Sequence, residues 1–278
     1  MRSIGAAIAC AALVLFATAQ SPRPSFEAAS IKTNESSSPL VRLSTPTGRL
    51  SGVNVTLRML IRNAYLLQDF RMSGGPAWID TDRFDVEATA GASVGFDQVR
   101  AMERTLLEDR FHLKTHTETR ELPIYVLSVA RRDGKLGDQI KASGTECLPM
   151  KPPAGAPPPP PPPPGSTPTG APQCPSMLAP GNVSGRKITI ARLATTLSLF
   201  VNREIIDKTN LAGEFDLDLR WLPDQLPFVA PGTPAPPVDT TAAPLFTAIQ
   251  EQLGLKLESS RGPVEVLVIE TAEKPTED

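Results

Sequence analysis

The feature that most limits the folds open to this chain is a pattern of apolar and polar residues that occurs twice. Leu50-Ser51-Gly52 in the first half and Val183-Ser184-Gly185 in the second half each precede an apolar run. Counted from Leu57 and from Ile190, apolar residues recur at i, i+3, i+4 and i+7. This spacing is typical of one buried face of a helix. The sequence therefore predicts the same strand-and-helix unit in both halves.

Helix signals repeat in the same way. Thr56 and Thr189 stand immediately before the two helices, where a hydroxyl oxygen can accept a hydrogen bond from a free backbone N–H of the first turn. A second amphipathic helix follows in each half, centred on Leu107 and on Ile249. Each half is thus predicted to contain two helices.

Strand signals complete the repeat. Phe84–Glu87 and Phe215–Asp218 alternate apolar and polar residues, as half-buried strands do. Each half closes on a strand after a proline, at Pro123–Leu127 and at Pro263–Leu267, and Phe26–Ile31 predicts an added N-terminal strand. The predicted fold class is α+β, with mostly antiparallel sheet. It consists of two tandem copies of a strand-helix-strand-strand-helix-strand-strand module, related by a pseudo-twofold axis.

Proline-rich segments separate and interrupt the modules, which are predicted to cover residues 20–146 and 181–278. The unbroken run from Pro157 to Pro164 favours extended polyproline II. We interpret it as a stiff exposed spacer, the alternative being a docking strip for aromatic grooves. Residues 225–243, rich in proline and alanine, predict an insertion inside the second module.

Two cysteines flank the proline run. Cys147 and Cys174 form an even pair, which in an oxidising compartment predicts a disulfide that closes the proline-rich loop of residues 147–180. The alternative is a pair of thiol metal ligands. Neither cysteine belongs to a C-x-x-C motif and no histidine lies near them in sequence, so the disulfide is favoured.

The N-terminus has the layout of a secretory signal. A short positive start precedes an apolar stretch from Ile4 to Ala19, which ends in Ala17-Thr18-Ala19. Residues 1–19 are therefore predicted to be a cleaved signal peptide rather than a membrane anchor, since a span needs about 20 apolar residues. The predicted location is the periplasm or the extracellular medium, with no membrane span in the remaining chain.

Composition argues against nucleic-acid partners. The formal net charge is −2 and no block of lysine or arginine stands out, whereas phosphates require a basic face. Aromatic residues make up only 5% of the chain, so a stacking platform for bases or sugars is not expected.

Histidine chemistry is limited to His112 and His116. If Leu113–Glu118 is a strand, the two side chains point to the same side about 13 Å apart, because a strand rises about 3.3 Å per residue. That separation is too large for two ligands of one metal ion. The H-E-x-x-H and G-x-S-x-G motifs are absent as well. No metal, no cofactor and no catalytic residue is predicted, and the histidines are interpreted as surface or interface residues.

Paired carboxylates are the remaining candidates for chemistry. Asp85 and Glu87 occupy alternate positions of one predicted strand, and Asp216 and Asp218 do so on the corresponding strand of the second half. Glycosidases use two carboxyls about 5 to 10 Å apart, and this spacing would allow such a pair. The same alternation is typical of the solvated face of a strand, which is the favoured interpretation.

Several longer strings carry a resemblance to a known family. They are Phe26–Lys32, Gly74–Asp80, Asp109–His116, Asp207–Gly213 and Gln252–Glu258. These residues resemble the soil-associated bacterial proteins described as domain of unknown function 3738. The resemblance implies an exported protein without catalytic residues to transfer. Some relatives carry this domain behind a membrane metallopeptidase of the antibiotic-sensor type, which suggests sensing or binding.

Together these features predict a non-catalytic extracytoplasmic module that binds or senses a protein, peptide or envelope component. Two alternatives stay open. One is a hydrolase of an envelope or extracellular polymer that acts through the paired carboxylates. The other is a secreted structural protein.

Overall fold

The computed structural model of the protein describes residues 23–36, 38–91, 94–144, 174, 176–224 and 241–276, and within these ranges strands outnumber helices. The strands are β1 (Ala28–Thr33), β2 (Arg42–Ser44), β3 (Arg49–Val55), β4 (Met72–Gly74), β5 (Phe84–Thr89), β6 (Lys114–Val129), β7 (Ile140–Ala142), β8 (Ser176–Ala179), β9 (Asn182–Ile188), β10 (Ile205–Asp207), β11 (Phe215–Arg220) and β12 (Leu255–Thr271). The helices are α1 (Leu57–Tyr65), α2 (Trp78–Thr81), α3 (Phe96–Phe111), α4 (Ile190–Val201) and α5 (Leu245–Ala248), which continues as a π-helical turn over Ile249–Leu253. The α+β class with mostly antiparallel sheets is confirmed.

Several predictions fall outside the described residues. These are the signal peptide, the proline run, nearly all of the second proline-rich insertion, and Cys147. The Cys147–Cys174 disulfide therefore stays a prediction. Within the described residues, no helix is long and apolar enough to cross a membrane.

The described residues divide into two compact units. Unit 1 falls within Met1–Leu66, Gly75–Lys114 and Glu270–Asp278, and unit 2 within Leu67–Gly74 and Thr115–Ile269. The sequence-predicted module boundaries remain predictions, since compactness does not test duplication.

Unit 1 is built on an antiparallel sheet with the order β1-β5-β3-β2. Helices α1 and α3 contact each other, and the inward residues of α1 are fully buried. Trp78, Phe84 and Phe111 pack as an aromatic group with ring centroids 5.4 to 6.4 Å apart. The expected N-terminal strand is present as β1, at the edge beside β5.

Unit 2 contains a second antiparallel sheet with the order β7-β11-β9-β8. Its core includes Leu193, Leu197, Leu219 and Ile249, each fully shielded from solvent. This strand order corresponds to that of the sheet in unit 1. In each sheet the strand that leads into a helix, β3 or β9, lies in the interior. The other interior strand, β5 or β11, lies between it and the edge strand, β1 or β7.

The helix starts follow the sequence signals. The Thr56 hydroxyl accepts a hydrogen bond from the Met59 backbone N–H, and Thr189 accepts one from Arg192, both at 3.2 Å. Both predicted N-caps are thereby confirmed.

A third sheet in unit 2 has the order β10-β6-β12-β4. Its outer strands are short and lie parallel to their neighbours: β10 pairs with β6, and β4 pairs with β12. Thus β4, from the first half of the chain, lies beside the closing strand of the second half, while β10 lies beside the closing strand of the first half.

Two local predictions were wrong. His112 does not belong to a strand with His116, because it ends α3 in the left-handed conformation (φ 46°), and β6 begins at Lys114. The last two strands predicted for each half form one continuous strand, β12 (Leu255–Thr271) in the second half and β6 (Lys114–Val129) in the first. Pro123 does not interrupt β6. A strand tolerates a proline where the ladder needs no N–H at that position.

Candidate functional site

The carboxylates that the sequence singled out lie on β5 and β11, each on the face opposite the core. On β5, Phe84, Val86 and Ala88 are buried, so Asp85 and Glu87 project to the other side. The alternation is the same on β11, where Asp216 and Asp218 face away from the core.

Asp85 and Asp216 both bind backbone. Oδ1 of Asp85 accepts from the backbone N–H of Asn54 at 2.9 Å and from the side-chain amide of Asn34 at 2.7 Å. Oδ1 of Asp216 accepts from the backbone N–H of Lys187 at 3.2 Å. Each aspartate therefore holds the backbone of a neighbouring strand.

The strand segment that each aspartate holds is a β-bulge. Asn54 and Lys187 both have positive φ (57° and 53°), two residues before the N-cap threonine. At both places the strand register slips by one residue, between Gly52 and Val55 and at the matching part of β9. A bulge leaves one backbone N–H outside the ladder, and the aspartate supplies its acceptor.

The bulge also explains the glycine of each repeated Ser-Gly pair. A Cβ on Gly52 would lie 3.0 Å from Cγ2 of Val55, and one on Gly185 would lie 2.7 Å from Cδ1 of Ile188. The bulge brings these side chains against the strand, so a larger residue at either position would require Val55 or Ile188 to shift.

Glu87 and Asp218 are engaged at the surface. Glu87 accepts from the Ser51 hydroxyl at 2.6 Å and lies 3.7 Å from the Arg49 guanidinium. Asp218 forms an ion pair with Arg220 at 3.0 Å. Every carboxylate of the two candidate pairs thus has a defined contact within its own sheet.

The histidines make separate surface contacts. Nδ1 of His112 lies 3.9 Å from a carboxylate oxygen of Glu273, and Nε2 of His116 lies 3.7 Å from one of Glu118. Arg120 also binds Glu118 and holds the pKa of that carboxyl below its usual range. Among the described residues, no group of three or more histidine, cysteine, aspartate or glutamate side chains could hold a metal ion.

Sequence reasoning missed one acid whose pKa is strongly shifted. Glu103, on α3, is fully buried and accepts a hydrogen bond from the Asn63 amide at 2.7 Å. Burial raises the pKa of Glu103 to about 8, although the Asn63 hydrogen bond and the charges of Arg100 and Arg104 oppose the shift. The available signal was spacing, because Glu103 lies four residues from both Val99 and Leu107, which are buried.

A concave surface with several charged lining residues lies on unit 2. It has a volume of about 620 Å³ and is open to solvent. Its floor crosses three adjacent strands, β7, β11 and β9, on the face away from the core. We call this surface the polar groove; its charged lining residues are Asp138, Lys141, Arg186, Asp216 and Asp218.

The charges of the polar groove are not equally available. Asp216 holds the bulge and Asp218 pairs with Arg220. Lys141 and Arg186 have no ion-pair partner among the described residues, and Arg186 is exposed. The groove therefore presents two uncommitted cations, against one carboxylate, Asp138, without a described partner.

Residues 58–272 match a family described as protein of unknown function, DUF3738. The chain belongs to this family. No curated protein and no solved structure matches it.

The match to the DUF3738 family includes most of the features described above. It covers both aspartates that hold the bulges, the buried Glu103, and every residue that lines the polar groove. The match begins at residue 58, after β3. Strands β1, β2 and β3 therefore lie outside the matched part of this DUF3738 protein.

Proposed function

We propose that this protein is a non-catalytic, exported binding module whose polar groove contacts an acidic region of a protein, peptide or envelope component. The observation that carries the proposal is the pair of uncommitted cations, Lys141 and Arg186, on an open concave surface. Exposed cations that are not paired with a described residue can steer an oppositely charged partner and fix its register.

The bonding of the carboxylates supports a non-catalytic role. A catalytic pair needs two carboxyls that face a shared substrate, one of them free to give or take a proton. Asp85 and Asp216 instead accept backbone hydrogen bonds that hold the bulges. The alternative of a polymer hydrolase, acting through Asp85 and Glu87 or through Asp216 and Asp218, has less support than binding.

Export forms part of the same proposal. The layout of residues 1–19 supports a cleaved signal peptide and delivery to the periplasm or the medium. In that oxidising setting Cys147 and Cys174 would form a disulfide, which closes the proline-rich loop before β8.

We also infer that the two halves arose by duplication and are related by a pseudo-twofold axis. The support is the equal strand order of the two antiparallel sheets, together with a bulge, a bulge-holding aspartate and an N-cap threonine at matching places. The exchanged positions of β4 and β10 in the third sheet are a further support.

The proposed function is tested by cross-linking the purified protein to envelope and secreted extracts and mapping the links by mass spectrometry. We expect reproducible links to one acidic partner near Lys141, lost in the double variant Lys141→Glu, Arg186→Glu. The matched control is Arg132→Glu, Lys135→Glu, which makes the same charge change at exposed positions outside the groove. Equal loss in both variants, or retention in both, contradicts a role of the groove.

A further inference from the structure

The sheet edge formed by β8 differs from the other edges of the two antiparallel sheets. In the described residues β8 pairs only with β9, so one side of its backbone has no strand partner. The other three edges, β1, β2 and β7, carry the charged residues Lys32, Arg42 and Lys141. Charged residues on an edge are a common protection against pairing with another chain. Strand β8, with the sequence Ser-Met-Leu-Ala, has none.

The apolar side chains of β8 are exposed. Met177 retains 57% and Leu178 retains 53% of their accessible surface. An exposed edge with apolar residues and no charge has the features of a strand that pairs with a further segment.

A small slot lies beside this edge, between β8 and α4. Its volume is about 90 Å³, and its apolar lining includes Leu178, Val183, Ile188 and Leu193. This is far below the size of a typical pocket for a small-molecule ligand, but it suits part of one apolar side chain. An extended chain along β8 would direct every second side chain towards the α4 side of the sheet.

Arg192 adds a charge to the slot. It lines the slot from the first turn of α4, is exposed, and has no ion-pair partner among the described residues. An acidic side chain next to the apolar one would complement it.

We propose that the β8 edge accepts an extended segment of a partner protein as an additional strand. Backbone hydrogen bonds to β8 hold the segment, an apolar side chain enters the slot, and a neighbouring acidic side chain pairs with Arg192. This inference rests on the proposed binding function but uses a separate surface. Ser184 is the one lining residue that the slot shares with the polar groove.

The test uses a displayed library of random seven-residue peptides selected on the purified full-length protein. We expect the selected peptides to alternate apolar residues and to contain an aspartate or glutamate. Binding should slow hydrogen–deuterium exchange at those amides of Ser176–Ala179 that do not already bond to β9, as strand addition requires. Leu178→Lys, which places a charge on the edge, should weaken binding at least tenfold. The matched control Leu199→Lys changes an equally exposed leucine on α4 (53%) and should change binding less than twofold.

A second variant and a second readout keep the outcomes distinct. Arg192→Glu should weaken acidic peptides at least fivefold while leaving β8 intact. Strand addition would be overturned by peptides that bind Leu178→Lys with wild-type affinity but do not bind the double variant Lys141→Glu, Arg186→Glu. Such peptides would support the groove alone. Self-association of the wild type by sedimentation, abolished in Leu178→Lys with no peptide selected, would also overturn it, because a second copy would then occupy the edge.

Discussion

The side-chain amide of Asn63, on α1, donates a hydrogen bond of 2.7 Å to Oε2 of Glu103, on α3. Oε1 of the same carboxyl is buried and has no hydrogen-bond partner among the described residues. A carboxylate in this place keeps only part of the hydrogen bonding that it has in water, so the neutral acid is favoured. The contact between the two helices of unit 1 is therefore linked to a proton.

The stability of the protein should depend on pH through Glu103. Its pKa is about 8 in the folded protein, against an ordinary value of 4.5. Because the folded pKa is the higher one, the stabilisation is complete below pH 4.5 and is lost as the pH rises through about 8. The loss amounts to about 1.4 kcal/mol per pH unit in this window. Urea unfolding of wild type and Glu103→Gln at pH 5, 7 and 9 measures it.

The glutamine variant copies the neutral acid at every pH, so it should be more stable than wild type at pH 9 and should lose the slope. Glu108→Gln, on the exposed side of the same helix, is the control and should keep the wild-type slope. Parallel pH profiles for wild type and Glu103→Gln would refute the linkage.

Replacing Asp85 by alanine should destabilise unit 1 by about 1 to 3 kcal/mol. The substitution leaves the N–H of Asn54, which is only 6% exposed, without an acceptor. Glu87→Ala, two residues away on the same face, removes only an exposed contact and should change stability by about 0.5 kcal/mol or less. Denaturant midpoints for both variants decide the matter, and equal effects would show that Asp85 does not hold the bulge.

A methyl group at Gly254 should be costly for two separable reasons. Gly254 has φ 67°, and its Cβ would lie 2.7 Å from the backbone N of Gly137. Gly134 has a similar φ of 72° but open space around it, so Gly134→Ala reports the backbone cost alone. We expect about 1 kcal/mol for Gly134→Ala and roughly a further 1 to 3 kcal/mol for Gly254→Ala. Thermal unfolding that ranks the two variants the other way would contradict the close approach.

Asp82 should titrate below its ordinary pKa of 3.8 because Lys274 donates a hydrogen bond to it at 2.6 Å. In Lys274→Met the pKa of Asp82 should rise towards the ordinary value, as followed by NMR. The contribution of this pair to stability is present above pH 3.8 and is lost as the pH falls through the depressed pKa. Lys256→Met, which removes a lysine that pairs with Glu258, should leave the Asp82 titration unchanged.

Local signals in the sequence predicted local structure well. Thr56 and Thr189 cap their helices because a hydroxyl one residue before the helix can accept a hydrogen bond from a free N–H of the first turn. The alternation of Phe84–Glu87 likewise placed the carboxylates on the solvent face of a strand. Such features depend on a few adjacent residues, so a single sequence contains them.

Features that depend on distant contacts were not accessible in the same way. The single strand from Lys114 to Val129 is continuous because β10 and β12 pair along it, and no local pattern encodes those neighbours. The two bulges require a register slip between strands, so the roles of Asp85 and Asp216 became apparent only in the sheet. Glu103 was missed because its burial depends on what α1 places against α3.

The exchanged short strands of the third sheet have a consequence for the order of folding. Met72, in the first half of the sequence, pairs with Leu267 of β12, so this sheet stays incomplete until β12 has been synthesised. Pairing β4 with β12 closes a long loop, and the entropy cost of closing it is incurred before the contacts form. This cost slows folding. Until β12 is available, the chain therefore stays unfolded for longer and remains accessible to factors that bind unfolded proteins.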